Sequence, residues 1–317
     1  MAVAKLGFGS AVGVGVESTW GTPVSRTNWV RITSWGLKRT LEIVPRPHLG
    51  TTSATSTNRR QHFTASDDAG GSFEYLCAYD DSSILLLTHA LGAVATTGTG
   101  PYVHTVTLAS SAGNGLSIEG LNGNGSAEVF EGCLLTRTEI SISAAEVMKI
   151  RHDVIGETSQ GLASAGTPTF SSNGEEVLHS HAGQFSFDSV THDLVDLSII
   201  VDHKLAKRQL LGSTLTKRPQ LSDYLEVTGR LTVEYIVDTT NTKWLAGTQG
   251  DATITFTGSG NNVLAMTLQN LYISNIDRAV SSPGVIRETV EFRCESDGTD
   301  EGLKLVFTND NAASTAN

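Results

Sequence analysis

A short amphipathic stretch occurs twice in this chain: residues 71–77 have the sequence GSFEYLC, and residues 230–237 have the sequence RLTVEYIV. The two Glu-Tyr pairs, at 74–75 and 234–235, are 160 residues apart (234 − 74 = 160). Alternation of apolar and polar residues in both copies predicts strands with one buried face. A strand pattern that recurs after about half the length of the chain predicts two tandem units. The sequence therefore predicts a mainly β protein with two tandem β-sandwich or barrel domains.

Each copy is followed by a stretch with helical features. Asp80 or Asp81 can accept hydrogen bonds from the first turn of a helix, which predicts a helix over residues 80–91. Residues 239–246 occupy the equivalent place after the second copy. One short helix is therefore predicted in each unit.

Long alternating strands occur later in each unit. Residues 136–143 and 147–155 alternate between apolar and polar side chains, which predicts a hairpin with one buried and one wet face. Residues 286–294 repeat this pattern near the end of the second unit. At the start of the units, residues 29–32 are interpreted as the counterpart of residues 184–187.

Composition sets the predicted domain boundaries. A Gly-rich, irregular N-terminal arm over residues 1–27 begins the first domain, which spans residues 1–160. Residues 161–174 are rich in Ser, Gly and Thr and are predicted to be a linker. The second domain then spans residues 175–317.

The net charge of −11 divides into −3 over residues 1–160 and −8 over residues 161–317. A chain this acidic is a poor non-specific ligand for DNA, because phosphate binding depends on clustered cations. An acidic wall still lets DNA pass without adhering. The N-terminus lacks the apolar segment of a secretory signal, and the longest aliphatic run covers only residues 84–87. These features predict synthesis in the cytoplasm and no membrane insertion by this chain.

The stretch 179–203 is the region of the sequence richest in residues that could bind a metal ion. Imidazoles two residues apart on a strand point to one side and can hold a metal ion, but a solvent-facing strand in the more acidic half explains the same residues. The residues concerned are His179, His181, Asp188, His192, Asp193, Asp196, Asp202 and His203. Neither a Gly-x-Ser-x-Gly elbow nor a complete phosphate loop occurs in the sequence. The prediction is therefore a protein that is not an enzyme, with no catalytic, cofactor-binding or metal-binding residues.

Residues 13–24, GVGVESTWGTPV, carry a resemblance to a known family. This Gly-x-Glu…Gly-Thr-Pro stretch, followed by a strand over residues 29–34, resembles the opening of the major tail tube proteins of long-tailed, non-contractile bacteriophages. The two-unit layout is similar to the branch of that family whose chain holds two tandem tube domains. The resemblance implies that each domain contributes strands to a ring-shaped inner β-barrel.

The resemblance also implies a function and partners. Three two-domain chains would form a pseudo-sixfold ring, and stacked rings would form the tail tube of a virion assembled in the host cytoplasm. The tube would enclose a tape-measure protein, meet tail terminator and tail-tip proteins, and conduct double-stranded DNA at ejection. Six domains with four strands each, spaced ~4.8 Å apart, give a barrel ~37 Å across. Such a barrel passes a duplex even after side chains are subtracted.

Within such a tube, the polar faces of the terminal hairpins have two interpretations. They are either an ordinary solvent-facing surface or the wall of the lumen. On the second interpretation, Glu139, Asp153 and Glu291 are the lumen-lining candidates.

Two basic doublets, Arg59–Arg60 and Lys217–Arg218, lie on long polar loops over residues 45–70 and 204–228. They are interpreted either as solvated loop charge or as contacts to the next ring. In the second case, both loops are expected to become ordered only on assembly.

Two other classes of protein fit parts of the sequence. Another repeated β module of a virion, such as a capsid decoration or tail-tip protein, would share the repeat. A secreted carbohydrate-binding or hydrolytic β-sandwich fits less well, because aromatic residues are few and no export signal is visible.

Overall fold

The structure, a computed structural model, describes residues 10–45, 62–109, 113–122, 126–171, 176–278, 284–296, 298 and 302–311. Within these residues the protein is mainly β, as predicted, and each half contains one short α-helix. Both helices fall at their predicted places.

In the first half, a closed six-strand barrel surrounds the core. Its strands pair in the cyclic order β1, β2, β4, β9, β8, β7 and back to β1. The elements of this half are β1 (Ala11–Val16), β2 (Asn28–Trp35), β3 (Lys38–Pro45), β4 (His62–Leu76), α1 (Asp81–Leu91), β5 (Gly92–Thr97), β6 (Tyr102–Leu108), β7 (Leu116–Asn122), β8 (Ser126–Ser143), β9 (Lys149–Gly156) and β10 (Thr158–Ser164).

The second half has a similar order of pairing. A 3-10 helix at Ser180–Ala182 precedes β11, which pairs with β12 and β17, and the ladder continues through β18, β19 and β16 to β13. The elements are β11 (Gly183–Phe187), β12 (Val190–His192), β13 (Leu194–Asp202), β14 (Leu205–Arg208), β15 (Lys217–Leu221), β16 (Glu226–Glu234), α2 (Thr239–Ala246), β17 (Gly250–Thr257), β18 (Val263–Asp277), β19 (Arg287–Cys294) and β20 (Leu303–Asn309).

The two helices give the offset between the halves at this point of the chain. Their N-cap residues, Asp80 and Asp238, are 158 residues apart (238 − 80 = 158). Directly before them, the Cys77 amide donates to the carbonyl of residue 148, and the Tyr235 amide donates to that of residue 286, both at 2.9 Å. Tyr235 thus matches Cys77, and the offset of 160 taken from the Glu-Tyr pairs is wrong by two residues. A two-residue shift keeps every side chain on the same strand face, so alternation does not reveal it.

The alignment at the start of the halves also differs from the prediction. Residues 184–187 lie in β11, which pairs as β1 does, so β12 with the first residues of β13 takes the place of β2. The predicted irregular arm hides β1, which is buried and closes the barrel. Glycines take the place of polar residues in β1, so its sequence shows no alternation of apolar and polar side chains. Gly13 has no room for a side chain, because an added Cβ would come within 2.8 Å of the Trp29 ring.

The predicted linker and loops are also partly strand. Residues 161–164 continue β10, and Phe170 packs against a small buried cluster around Trp29. In the loop predicted over residues 45–70, β4 begins at His62; the loop predicted over residues 204–228 contains β14 and β15. β3 is exposed along almost its whole length, and in β14 and β15 only Pro219 is buried. Without a continuous buried face, these segments lack the alternation that predicts strands.

The two halves share one continuous antiparallel sheet, here called the long sheet. Its strands are β4, β9, β8, β13, β16, β19 and β18 in that order, with the end of β2 and then β3 beside β4. The halves meet where residues 137–143 of β8 pair with residues 196–202 of β13. A second junction pairs β20 with β6. Buried apolar side chains form one cluster through both halves.

A buried histidine makes the fold sensitive to acid. His152 contacts the Thr138 hydroxyl at 2.8 Å and the Tyr75 hydroxyl at 3.4 Å, and burial lowers its pKa to about 3. An unfolded histidine has a pKa of about 6.5, so between these values the unfolded chain binds a proton that the folded chain does not. The contribution of neutral His152 to the free energy of unfolding is therefore complete above pH ~6.5 and falls as the pH drops towards the pKa of the folded state.

We expect His152→Gln to flatten this acid dependence. Between pH 6 and 4, the free energy of unfolding should fall by about 1.4 kcal/mol less per pH unit than in the wild type. Urea unfolding at several pH values measures the slope, with the exposed His62→Gln as the control. Equal slopes for both variants would show that His152 does not carry the effect.

Candidate functional site: the polar face of the long sheet

One face of the long sheet is buried in the core, and the other, here called the polar face, is formed by the alternate side chains. Apart from the β3–β4 ladder, the charged members in the described, paired segments are Glu74, Arg137, Glu139, Lys149, Arg151, Asp153, Asp196, Asp202, Glu226, Arg230, Glu234, Asp277, Arg287, Glu291 and Arg293. Nine are carboxylates and six are basic. The polar face is therefore acidic, but it is mixed in sign.

The three predicted lumen-lining acids all lie on the polar face. Their positions follow from register: Glu139 lies opposite Arg151, Asp153 lies opposite Arg137, and Glu291 lies opposite Arg230. Opposite charges on directly paired residues attract one another across the strands. Each acid is thus partly balanced by an arginine, a feature that the sequence analysis missed because it requires the strand register.

Direct contacts around these acids are weak. The Arg151 Nε lies 3.4 Å from a carboxylate oxygen of Asp153, and the Ser198 hydroxyl donates to Glu139 at 3.4 Å. Exposed pairs of this kind contribute little to stability. The charges on the polar face are therefore available to mobile ions or to a ligand.

Towards one end of the polar face, a lysine bridges two further acids. The Lys204 Nζ lies 2.9 Å from a carboxylate oxygen of Asp202 and 3.0 Å from one of Glu226. Asp202 and Glu226 are themselves paired across β13 and β16. The lysine therefore reduces the repulsion between two carboxylates at the junction of the halves.

The Gly-x-Glu motif has a structural role that its sequence did not reveal. Glu17 is buried, and its carboxylate accepts hydrogen bonds from the amides of Gly21 and Gly132 and from the Ser117 hydroxyl, each at 2.9 Å. Three donors from separate segments satisfy this buried charge. Glu17 thereby fastens the loop after β1 to β7 and β8.

The histidine- and aspartate-rich stretch is dispersed in the structure. His192 is buried in β12, His203 bonds the Ala90 carbonyl, and Asp188 pairs with Lys243 at 3.1 Å. The rings of His179 and His181 are 5.9 Å apart. Among the described residues, no group of three metal-type side chains comes together.

The predicted inter-ring residues are only partly visible. Arg59 and Arg60 lie outside the described residues. Lys217 lies opposite Arg208 in the β14–β15 hairpin, and Arg218 donates to the carbonyl of Gly113 at 3.0 Å. The hairpin is held to the first half by an ion pair of 2.9 Å between Lys207 and Asp68. At least part of the second doublet thus makes contacts within its own chain.

None of the helices in the described ranges is long and apolar enough to span a membrane.

No curated protein matches the chain. The model of the family described as "Phage tail tube protein" matches residues 7–294, nearly the whole chain. Members of such a family are structural components of the phage tail. The match covers both halves of the long sheet and the Gly-x-Glu motif, and the chain therefore belongs to the phage tail tube protein family.

Proposed function

We propose that this chain is the major subunit of the tail tube and acts as a structural protein without catalytic activity. Three chains form each ring, and stacked rings enclose the tape-measure protein and later conduct double-stranded DNA at ejection. Tail terminator and tail-tip proteins close the two ends, and assembly takes place in the host cytoplasm. The observation that carries this proposal is the long sheet, which runs through both halves with one buried and one polar face.

The proposal includes two tandem tube domains, over residues 1–160 and 175–317. Support comes from irregularities in the ladders. The register between β8 and β9 shifts at 135/137, and that between β18 and β19 shifts at 273/275, which is 138 residues later. Such bulges are specific features of a ladder, so their recurrence at matching places favours a repeated unit.

Strand number fits a tube of useful bore. The long sheet has seven strands, and the end of β2 with β3 adds an eighth beside β4. Three chains then supply 24 strands, and a spacing of ~4.8 Å gives an untilted diameter of ~37 Å. Tilt widens the barrel. With ~10 Å subtracted for inward side chains, the bore still admits a duplex about 20 Å wide.

We further propose that the polar face lines the lumen, with Glu139, Asp153 and Glu291 among the lining acids. A cationic wall would hold phosphates and slow a passing duplex, whereas a mildly acidic wall leaves mobile counterions between the two surfaces. The pairing of each acid with an arginine suits this role, because it limits repulsion between neighbouring strands.

Charge reversal tests the proposed conduit. A phage carrying Glu139→Lys, Asp153→Lys and Glu291→Lys should still form tubes, because all three side chains lie off the core. Its DNA ejection should be slower, most strongly at low salt where screening is weak. Ejection followed by dye fluorescence after receptor addition measures the rate.

The matched control carries Glu146→Lys, Asp223→Lys and Asp310→Lys, three exposed carboxylates that are not on the polar face. It changes the net charge equally and should eject DNA at the wild-type rate. Equal rates for both triple variants would show that the polar face does not line the DNA path.

A further inference from the structure

The long sheet ends in two unpaired edges of unlike strands. Among the described residues, β3 pairs only with β4. The last residues of β18, from Tyr272 to Asp277, pair only with β19, since the β17 and β20 ladders stop at Leu271 and Leu268. Such edges present free N–H and C=O groups and are templates for another strand.

The chain already contains one junction of this type. At the meeting of the two halves, β8 pairs with β13 in a register that places Glu139 opposite Ile200. The bulges show that β18 repeats β8 with a shift of 138 residues, so Asp277 corresponds to Glu139. The unpaired edge of β18 is therefore the repeat of an edge that is paired inside the chain.

The β3 edge corresponds to β13 by the same argument. The helix caps show that β16 repeats β4 with a shift of 158 residues, so Thr228 corresponds to Gly70. Gly70 pairs with Lys38, and Thr228 pairs with Ile200. Lys38 thus corresponds to Ile200, and β3 is the strand that would pair with the free edge of β18.

We propose that β18 of one copy pairs antiparallel with β3 of a second copy, with Asp277 opposite Lys38 and Asn275 opposite Thr40. The inference rests on the proposed tube and identifies the contact between neighbouring chains. It repeats the internal register: Asp277 and Lys38 take the places of Glu139 and Ile200.

Charge and exposure indicate that the strand beside each free edge of the long sheet comes from a second copy of the chain. Asp277 and Lys38 are both exposed, and within the described ranges neither forms an ion pair. Placed opposite one another, they add an attractive cross-strand pair. Because the two edges belong to different strands, the contact is head-to-tail and closes a ring when the rotation allows it.

Disulfide formation tests the register. Directly opposed residues of antiparallel strands have Cα atoms about 4.5–5.5 Å apart, within the range for a disulfide. Tubes of Lys38→Cys/Asp277→Cys, oxidised mildly, should give covalent dimers and closed trimers on a non-reducing gel. The control Thr40→Cys/Asp277→Cys displaces one cysteine by two residues on the same face and should give little product, as should the single variants.

Charge exchange provides an independent test when cysteines disturb assembly. Asp277→Lys should raise the protein concentration needed for tubes by up to about fivefold per contact, and adding Lys38→Asp should restore it. Equal cross-linking of both cysteine pairs, no cross-linking in intact tubes, or no restoration by the exchange would overturn the proposed pairing. Wild-type protein that never forms tubes at high concentration would instead overturn the proposed function on which it rests.

Discussion

Replacing Glu17 with alanine should cost about 4 kcal/mol of unfolding free energy, because three donors lose a charged acceptor at one buried site. The amides of Gly21 and Gly132 have fixed positions, so they cannot readily turn to another partner. The shift in the midpoint of urea unfolding, with the slope, measures the loss.

Two variants bracket this effect. Glu17→Gln keeps one carbonyl acceptor and should lose about half as much. Glu146→Ala removes an exposed carboxylate in the turn between β8 and β9 and should change stability by less than about 0.5 kcal/mol. A Glu17→Ala variant as stable as Glu146→Ala would contradict the anchoring role of the motif.

Replacing Arg278 with alanine should cost about 3–5 kcal/mol, because the fully buried Glu288 would lose its cation. The Arg278 Nε donates to Glu288 at 2.8 Å, and the Thr240 hydroxyl also donates to that carboxylate. The guanidinium in addition lies 3.8 Å from the Tyr235 ring centre. Arg278 therefore joins the end of β18 to β19 and α2, and urea unfolding measures its contribution.

Arg293→Ala is the matched control. Arg293 also contacts a carboxylate, Glu295 at 2.7 Å, and lies over the ring of Tyr272 at 5.1 Å, but it is exposed. Its loss should cost no more than about 1 kcal/mol. Adding Glu288→Gln to Arg278→Ala should recover much of the stability, since no buried charge remains. Similar losses for Arg278→Ala and Arg293→Ala would contradict the assignment.

Periodicity predicted the elements that have one buried face. α1 and the long hairpin of β8 and β9 were predicted at nearly their observed positions, because their apolar residues recur at helical or strand spacing. α2, whose only buried residue is Thr240, was predicted from its place after the second copy of the repeated strand. β1 was missed because glycine replaces its polar residues. The β14–β15 hairpin was missed because it lies outside the core. Alternation of apolar and polar residues therefore predicts a strand only where one face of that strand is buried.

The candidate site was predicted to the level of a face and no further. Glu139, Asp153 and Glu291 do lie on the polar face, as alternation indicated. Their arginine neighbours come from other strands, and only the register between strands brings them opposite. For the same reason, the proposed pairs between the two free edges could not be predicted from the sequence of either half alone.

A reconstruction of the assembled tube by cryo-electron microscopy, without imposed symmetry, would show how many chains form a ring and which face of the long sheet lines the lumen. We expect three chains in each ring, with the polar face of the long sheet towards the lumen and β18 of each chain beside β3 of the next. Six chains in a ring, or a long sheet whose polar face lies on the outer surface, would contradict this expectation.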